Sequence, residues 1–242
     1  MSLILVNTLK QFAHQLFIGV VPYLLIALLM QYLSQELRRR LAAALGVGAF
    51  VRLTAPGVVL HELCHAAACL IFGHRIVELR LFSPEADGTL GYVRHTYDPR
   101  SIYQRIGNFF IGVAPVCGGV LALYLLYKFL VQTGCNGYPL PFALFSPDFW
   151  RRWQSWLWLY TSISIASHLT LSRSDLCGAL TGAVTLCVFM LIFAFAAALF
   201  SELQIALHSI LIQMFAVILP PSSIAAVLMS LAIQLLPKCR KC

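Results

Sequence analysis

The sequence predicts an all-α polytopic membrane protein with about six transmembrane helices. Of the 242 residues, 60% are hydrophobic and only 11% are charged, whereas a soluble domain carries about 25% charged residues. The mean hydropathy is +0.83. The apolar residues form long runs, and a helix needs roughly 20 of them to cross a bilayer. We therefore expect residues 1–242 to form a single membrane-embedded domain.

The first predicted elements are an amphipathic lead-in at residues 1–13 and a span from Leu16 to Leu33. Pro22 predicts a kink in this span, because proline removes a backbone hydrogen bond inside a helix. The basic cluster Arg38–Arg40 is expected to end the helix at the membrane surface.

The next apolar run, Leu41–Phe72, is longer than one straight span needs. The predicted break is Thr54-Ala55-Pro56, since proline suits the first turn of a helix and disrupts its interior. The sequence therefore predicts a short helix at 41–51 and a second helix at 55–72, which Gly73 ends.

A β-prone segment follows that helix. Apolar and charged side chains alternate imperfectly over 76–82, residues 83–88 have turn chemistry, and residues 89–93 form a second β-prone run. This pattern predicts a β-hairpin-like insertion at the membrane surface.

Four further apolar runs complete the six predicted spans: Ile106–Val131, Trp150–His168, Leu176–Phe200 and Leu203–Leu236. The residues between the second and third of these, 172–175, are predicted to form a short turn. Pro220-Pro221 interrupts the last run, so one kinked span and a span plus a half-helix are both open. Cys239 and Cys242 form a CxxC without the second pair that a zinc knuckle needs, which predicts a flexible tail.

The clearest chemical pattern is an HExxH motif, His61-Glu62-Leu63-Cys64-His65, inside the predicted helix at 55–72. Residues four apart share a helix face, so both imidazoles point the same way and can supply two ligands of a tetrahedral zinc site. Glu62 lies close enough to take a proton from a metal-bound water, as in HExxH zinc hydrolases. Ionisable groups at membrane depth are costly and therefore indicate function.

A catalytic zinc site needs a third protein ligand. The candidates are His74, His95, His168 and Asp175. His74 and His95 belong to the polar surface segment. Asp175 lies in the predicted turn between two spans, and the number of membrane crossings puts it on the same face as His65. A surface ion pair between Arg173 and Asp175 is the open alternative.

Over roughly residues 55–180, the sequence resembles the site-2 protease family of intramembrane metalloproteases. The resemblance rests on HELCHAAACLIFGHRIVELRLF, where a β-prone segment follows the HExxH helix, and on SHLTLSRSDLCGA. It implies zinc held by His61, His65 and Asp175, with Glu62 as the general base. It also implies cleavage of a transmembrane protein substrate inside the bilayer, with the active site near the cytosolic face.

The sequence departs from the family pattern around the third ligand. The Asn-Pro signature is absent, and Leu176 and Cys177 stand between the aspartate and Gly178.

Two other polar residues have alternative expected roles. We expect Asn108 either to join helices or to bond substrate, and His168 either to stabilise the oxyanion, to orient Asp175 or to serve the fold alone.

The predicted function is therefore an intramembrane zinc metalloprotease. The alternatives are a zinc-binding membrane scaffold without activity, which has no need of Glu62, and a metal transporter, which needs polar residues along a whole path. A di-metal oxygenase or desaturase needs more clustered histidines than the 7 present. The net charge of +8 is spread over loops and ends, which favours anionic lipid surfaces over nucleic acid.

The expected location is a bacterial inner membrane, with a multi-pass topology and the active site toward the cytosol. Basic residues are slightly more numerous on the predicted active-site face, and such residues favour the cytosolic side. Six spans would place both termini in the cytosol. The sequence predicts no particular oligomeric state.

Overall fold

The computed structural model describes residues 2–86, 88–131 and 147–236, and most of them are helical. Asp87 of the predicted turn and Cys239 and Cys242 of the predicted tail lie outside the described residues. The all-α class is confirmed, with one small two-stranded sheet.

Within the described ranges, three helical stretches are long and apolar enough to cross a membrane: Ile4–Leu45, Ile102–Val131 and Arg173–Leu199. A fourth is obtained if the bent pair Val47–Leu53 and Ala55–Ile71 forms one span. These helices are compatible with a membrane protein, but the predicted count of six spans is not confirmed.

The chain begins with two long helices, α1 (Ser2–Gly19) and α2 (Val21–Leu45). The predicted bounds of the first span are wrong, because Pro22 lies in the first turn of α2 and α2 continues past the basic cluster. Two of the three arginines of that cluster, Arg39 and Arg40, pair with Glu36 on the surface of the helix.

Helix α2 ends at Gly46, whose φ of 79° is in the left-handed region that favours glycine. The short helix α3 (Val47–Leu53) follows, so the predicted helix at 41–51 is wrong in its bounds. Helix α4 (Ala55–Ile71) is bent 59° from α3 and carries the HExxH motif. Its bounds confirm the prediction, with Pro56 in the first turn and Gly73 (φ 69°) just beyond the end.

The predicted hairpin is present as strands β1 (Arg75–Arg80) and β2 (Tyr92–Thr96), which pair antiparallel with Leu79 opposite Val93. Hydrogen bonds to the side chain of Glu78 stabilise the hairpin. The carboxylate accepts from the Tyr92 hydroxyl at 2.7 Å and from Arg80 Nε at 2.9 Å. These bonds, the Tyr92 bond first, hold the pKa of Glu78 below its ordinary value.

The rest of the described chain is helical. Helix α5 (Ile102–Leu126) continues as a π-helical turn (Tyr127–Val131), and α6 (Pro147–Arg151) and α7 (Trp153–Ala166) follow. The chain closes with α8 (Arg173–Leu199) and α9 (Ser201–Leu235). Helix α7 has only 14 residues, which explains why the predicted span at 150–168 is not among the candidate spans. Helix α9 runs as one helix through Pro220-Pro221.

Helix α5 lies between α4 and α8 and brings them together. Its glycines allow this close packing, because small residues let helix backbones approach one another. A Cβ at Gly118 would meet Cys64 of α4, and a Cβ at Gly112 would lie 2.5 Å from the carbonyl oxygen of Asp175 at the start of α8. The HExxH helix and the first turn of α8 are thus held against one helix.

Candidate metal centre

The side chains of His61, His65 and Asp175 form a group that could hold a metal ion. Their ligand atoms all lie within 4.8 Å of one another. His65 Nε2 is 3.3 Å from Asp175 Oδ1, and His61 Nε2 is 4.0 Å from Asp175 Oδ2. None of the three side chains is more than 15% exposed. Two imidazoles and one carboxylate are an established catalytic ligand set with one position left for water.

The orientation of both imidazoles is determined by backbone carbonyls. His61 Nδ1 is 2.9 Å from the carbonyl oxygen of His168, and His65 Nδ1 is 2.8 Å from that of Ile111. A carbonyl oxygen only accepts hydrogen bonds, so Nδ1 carries a proton in each ring and Nε2 is the nitrogen that faces the other two side chains. A metal-ligating histidine has this arrangement, with one ring nitrogen toward the metal and the other bonded to a carbonyl. These residues therefore fit a metal ion.

Asp175 reaches this group from the first turn of a helix, and the prediction that 172–175 form a turn is wrong. Helix α8 begins at Arg173, and Ser172 and Asp175 form a reciprocal capping box. Ser172 N donates to Asp175 Oδ2 at 2.8 Å, and Asp175 N donates to Ser172 Oγ at 3.1 Å. A carboxylate is stabilised at this position by the helix dipole as well as by the cap.

The alternative ion pair between Arg173 and Asp175 is not formed. Among the described residues, the ionic contacts of Asp175 are with His61 and His65 alone. Asp175 also keeps Oδ1 out of the capping box, on the side of His65.

Glu62 lies beside these three side chains in a cavity of about 850 Å³. It is 7% exposed, and its carboxylate has no hydrogen bond or ion pair with any described residue. Gly91, just before β2, packs against it, since a Cβ there would lie 2.9 Å from Glu62 Cγ. The cavity thus offers an unpaired carboxylate next to the two imidazoles.

The hairpin forms one wall of this cavity. The whole stretch Gly88–His95 lines it, whereas no residue of β1 among those described does so. Strand β2 pairs with β1 along one edge. The other edge of β2 therefore faces the cavity.

Asn108 of α5 also lines the cavity, with 5% of its surface exposed. Its Nδ2 has no hydrogen-bond partner among the described residues. A buried amide donor without a partner is costly, so this atom is available to a ligand. Of the two roles expected for Asn108, a hydrogen bond to a neighbouring helix is therefore not made by Nδ2.

The His168 ring does not reach Asp175. Its Nε2 lies 2.9 Å from Thr54 Oγ1, and the ring stacks on Phe50 with centroids 5.9 Å apart. The backbone carbonyl of the same residue, in contrast, accepts the hydrogen bond from His61. The contribution of His168 to the metal group is therefore made by its main chain, which sequence reasoning missed.

His74 and His95 stand outside the metal group but are coupled to each other. His74 Nε2 is 2.9 Å from the carbonyl oxygen of Gln104, so this nitrogen donates. His74 Nδ1 lies 3.0 Å from His95 Nδ1, so a hydrogen bond joins the two rings. His95 lines the cavity, and burial first, then His74 and His65, lower its pKa. Only the strand register, with His95 opposite Ile76, brings this pair together.

No protein-family model matches the chain, and comparisons with curated proteins and with solved structures find no match. The resemblance to the site-2 proteases stays a prediction, which rests on the residues of the chain itself. Those residues lie in a helical fold whose apolar helices are compatible with a membrane protein and whose His61, His65 and Asp175 could hold a metal ion.

Proposed function

We propose that this chain is an intramembrane zinc metalloprotease that resembles the site-2 proteases and hydrolyses a peptide bond of a transmembrane protein substrate. One observation carries the proposal. Two imidazoles, each oriented by a carbonyl at Nδ1, and a carboxylate converge beside a buried, unpaired Glu62 in one cavity. That combination is the HExxH arrangement of zinc hydrolases.

His61, His65 and Asp175 are the residues that would hold the zinc ion. Nitrogen and carboxylate ligands in a set of three suit a catalytic zinc ion better than a structural one, whose four protein ligands close the site. When bound, zinc supplies Lewis-acid chemistry and lowers the pKa of a water molecule toward about 7. The backbone carbonyls of His168 and Ile111 keep both imidazoles in the tautomer that this role requires.

Glu62 acts as the general base in this proposal. It takes a proton from the attacking water and returns it to the leaving amide nitrogen. Its burial and its lack of a partner among the described residues support that role, because nothing competes for its oxygen atoms. Asn108 Nδ2 donates to a substrate carbonyl in the same cavity, which supplies the partner that this buried donor lacks.

The cavity-facing edge of the hairpin holds the substrate. A peptide bond in a helix is shielded by its own hydrogen bonds, so the substrate must unwind before hydrolysis. An unwound segment can add to a sheet edge as a further strand. The stretch Gly88–His95 is placed for this, as it lines the cavity that contains Glu62.

The proposed location of the protein is a bacterial inner membrane, with this cavity toward the cytosol.

The full-length chain purified in detergent micelles tests the proposal by elemental analysis and by cleavage. We expect about one zinc ion per chain, and we expect cleavage of single-span fluorescent peptides that stops on chelation and returns with zinc. A chain that binds no zinc at micromolar concentration would refute the proposal. Zinc binding without cleavage of any single-span peptide would favour the scaffold alternative.

A further inference from the structure

Arg38 differs from the two arginines that follow it in α2. Arg39 and Arg40 both bind Glu36, with N–O distances of 2.8 and 2.7 Å, and Arg40 also donates to the carbonyl of Ile233 at 2.6 Å. Arg38 has neither a hydrogen bond nor an ion pair with any described residue. It is nevertheless half-buried and lines the cavity of the metal group.

The face of α2 that carries Arg38 is packed on the segment between α7 and α8. Gln31, Ser34 and Arg38 are three and four residues apart and therefore lie on one face. Gln31 Oε1 accepts from Leu171 N at 2.9 Å, and Ser34 is fully buried. Leu171 lines the cavity as well. This packing directs Arg38 to the cavity rather than to the surface where Glu36 lies.

A second cation without a described partner, Arg173, lies at the exposed rim of the same cavity. Other arginines near the cavity are paired, as Arg80 and Arg94 are with Glu78. A half-buried guanidinium in an apolar chain is costly unless an anion compensates it. Glu62 and Asp175 are engaged in the proposed chemistry, and the exposed Glu85, which also lines the cavity, forms no ion pair with Arg38. The cavity therefore leaves Arg38 free to bind an anion of a ligand.

We infer that Arg38 binds a carboxylate of the peptide substrate in the cavity that contains Glu62. This inference rests on the proposed function and names its substrate class. The substrate carries an aspartate or glutamate side chain, or its own C-terminal carboxylate, close to the cleaved bond. The planar guanidinium matches a carboxylate with two parallel hydrogen bonds, which an amide cannot reproduce. Arg173 at the rim adds electrostatic attraction.

The test measures binding by the full-length Glu62→Gln chain, which retains the zinc site and cannot cleave. The probe is a synthetic library of amidated apolar peptides, about 20 residues long, in which one position is Asp, Glu, Asn or Gln. A second library has only Asn or Gln at that position and a free C-terminal carboxylate. Retained peptides are quantified by mass spectrometry. The two libraries separate a side-chain carboxylate from a terminal one.

We expect acidic peptides of at least one library to be retained about tenfold or more over their neutral counterparts, as for a charge-assisted bidentate bond. Arg38→Gln should abolish the preference, Arg38→Lys should reduce it, and the matched control Arg39→Gln should leave it unchanged. The inference would be overturned if acidic and neutral peptides were retained equally, or if no peptide were retained. A preference that survives in Arg38→Gln would also overturn it.

Cleavage by the chain with Glu62 intact is measured separately. A chain that selects acidic peptides and cleaves none would refute the protease and leave the carboxylate site standing. A chain that cleaves acidic and neutral peptides equally would refute the carboxylate site and leave the protease standing. Zinc content measured on each variant shows that the fold around the cavity is intact.

Discussion

Gly112 and Asp175 are in direct contact, with the α-carbon of the glycine against the carbonyl oxygen of the aspartate. A Cβ at position 112 would lie 2.5 Å from that oxygen and 2.8 Å from the Cβ of Ala179. Both of these atoms belong to the first turns of α8, so the absence of a side chain at Gly112 determines how near α8 comes to α5. The position of the carboxylate relative to His65 depends on this contact.

The first prediction follows from that contact. Gly112→Ala should push the first turn of α8 away from His65 and weaken zinc binding about 10- to 100-fold, the usual effect of changes in groups that orient ligands. Gly178→Ala, on α8 itself, is the control, because a Cβ there meets nothing within 4 Å. Competition with a chromophoric chelator gives both affinities. Equal zinc affinity in the two variants would contradict the role of the contact.

The second prediction concerns the third ligand. Asp175→Ala should lose zinc and activity, while Arg173→Ala should retain zinc, because Asp175 contacts the imidazoles and Arg173 does not. The loss of the hydrogen bond that Asp175 Oδ2 accepts from Ser172 N should cost only about 2 kcal/mol in addition. Elemental analysis of the two purified variants decides the matter. Full zinc occupancy in Asp175→Ala would end the assignment.

Ser172→Ala serves as the control for the cap. It removes the hydroxyl that accepts from Asp175 N but leaves the carboxylate in place. We expect this variant to unfold at a lower temperature than the parent chain while it keeps most of its zinc. If it lost zinc as completely as Asp175→Ala, the effect of Asp175→Ala would be attributable to the helix start rather than to ligation.

The third prediction separates the base from the ligands. Glu62→Gln should reduce cleavage by at least about 100-fold, at the low end of what a positioned acid–base group contributes, while zinc stays bound. Asp98→Asn, an exposed loop carboxyl that accepts from Arg100 N, should cleave normally. Single-turnover cleavage of a labelled single-span peptide gives the ratio. Undiminished cleavage by Glu62→Gln would remove Glu62 from the mechanism.

The fourth prediction is a pH dependence of the hairpin. Hydrogen bonds from Tyr92 and Arg80 lower the pKa of Glu78 below its ordinary value of 4.5. A lowered folded-state pKa means that the stabilisation is fully present above the ordinary pKa and is lost as the pH falls through the lowered value. The hairpin should therefore stay ordered at pH 5 and loosen only as the pH falls below the ordinary pKa of 4.5.

A nitroxide label at Val77, an exposed residue at the register shift of β1, reports this change by electron paramagnetic resonance. We expect its mobility to rise on acidification in the parent chain. In Glu78→Gln the mobility should be raised already at pH 7 and should change little with pH. An identical pH response of the two chains would show that Glu78 does not control the hairpin.

Several features were determined by the sequence alone because their causes are local. Pro56 and Gly73 delimit α4, as the first turn of a helix accepts proline and a left-handed residue after its end favours glycine. The shared face of His61 and His65 follows from helix geometry. A local signal at Asp175 was overlooked, since serine followed three residues later by an acidic residue is the pattern of a capping box.

Other features were decided only by tertiary contacts. The orientations of His61 and His65 depend on the carbonyls of His168 and Ile111, which are 107 and 46 residues away in sequence. The partner of Arg40, the carbonyl of Ile233, is 193 residues away. Periodicity shows which residues share a face but not what that face meets. The sequence therefore determined the candidate metal-binding pair and its helix, while packing between distant helices decided the position of Asp175, the orientation of both imidazoles and which arginine faces the cavity.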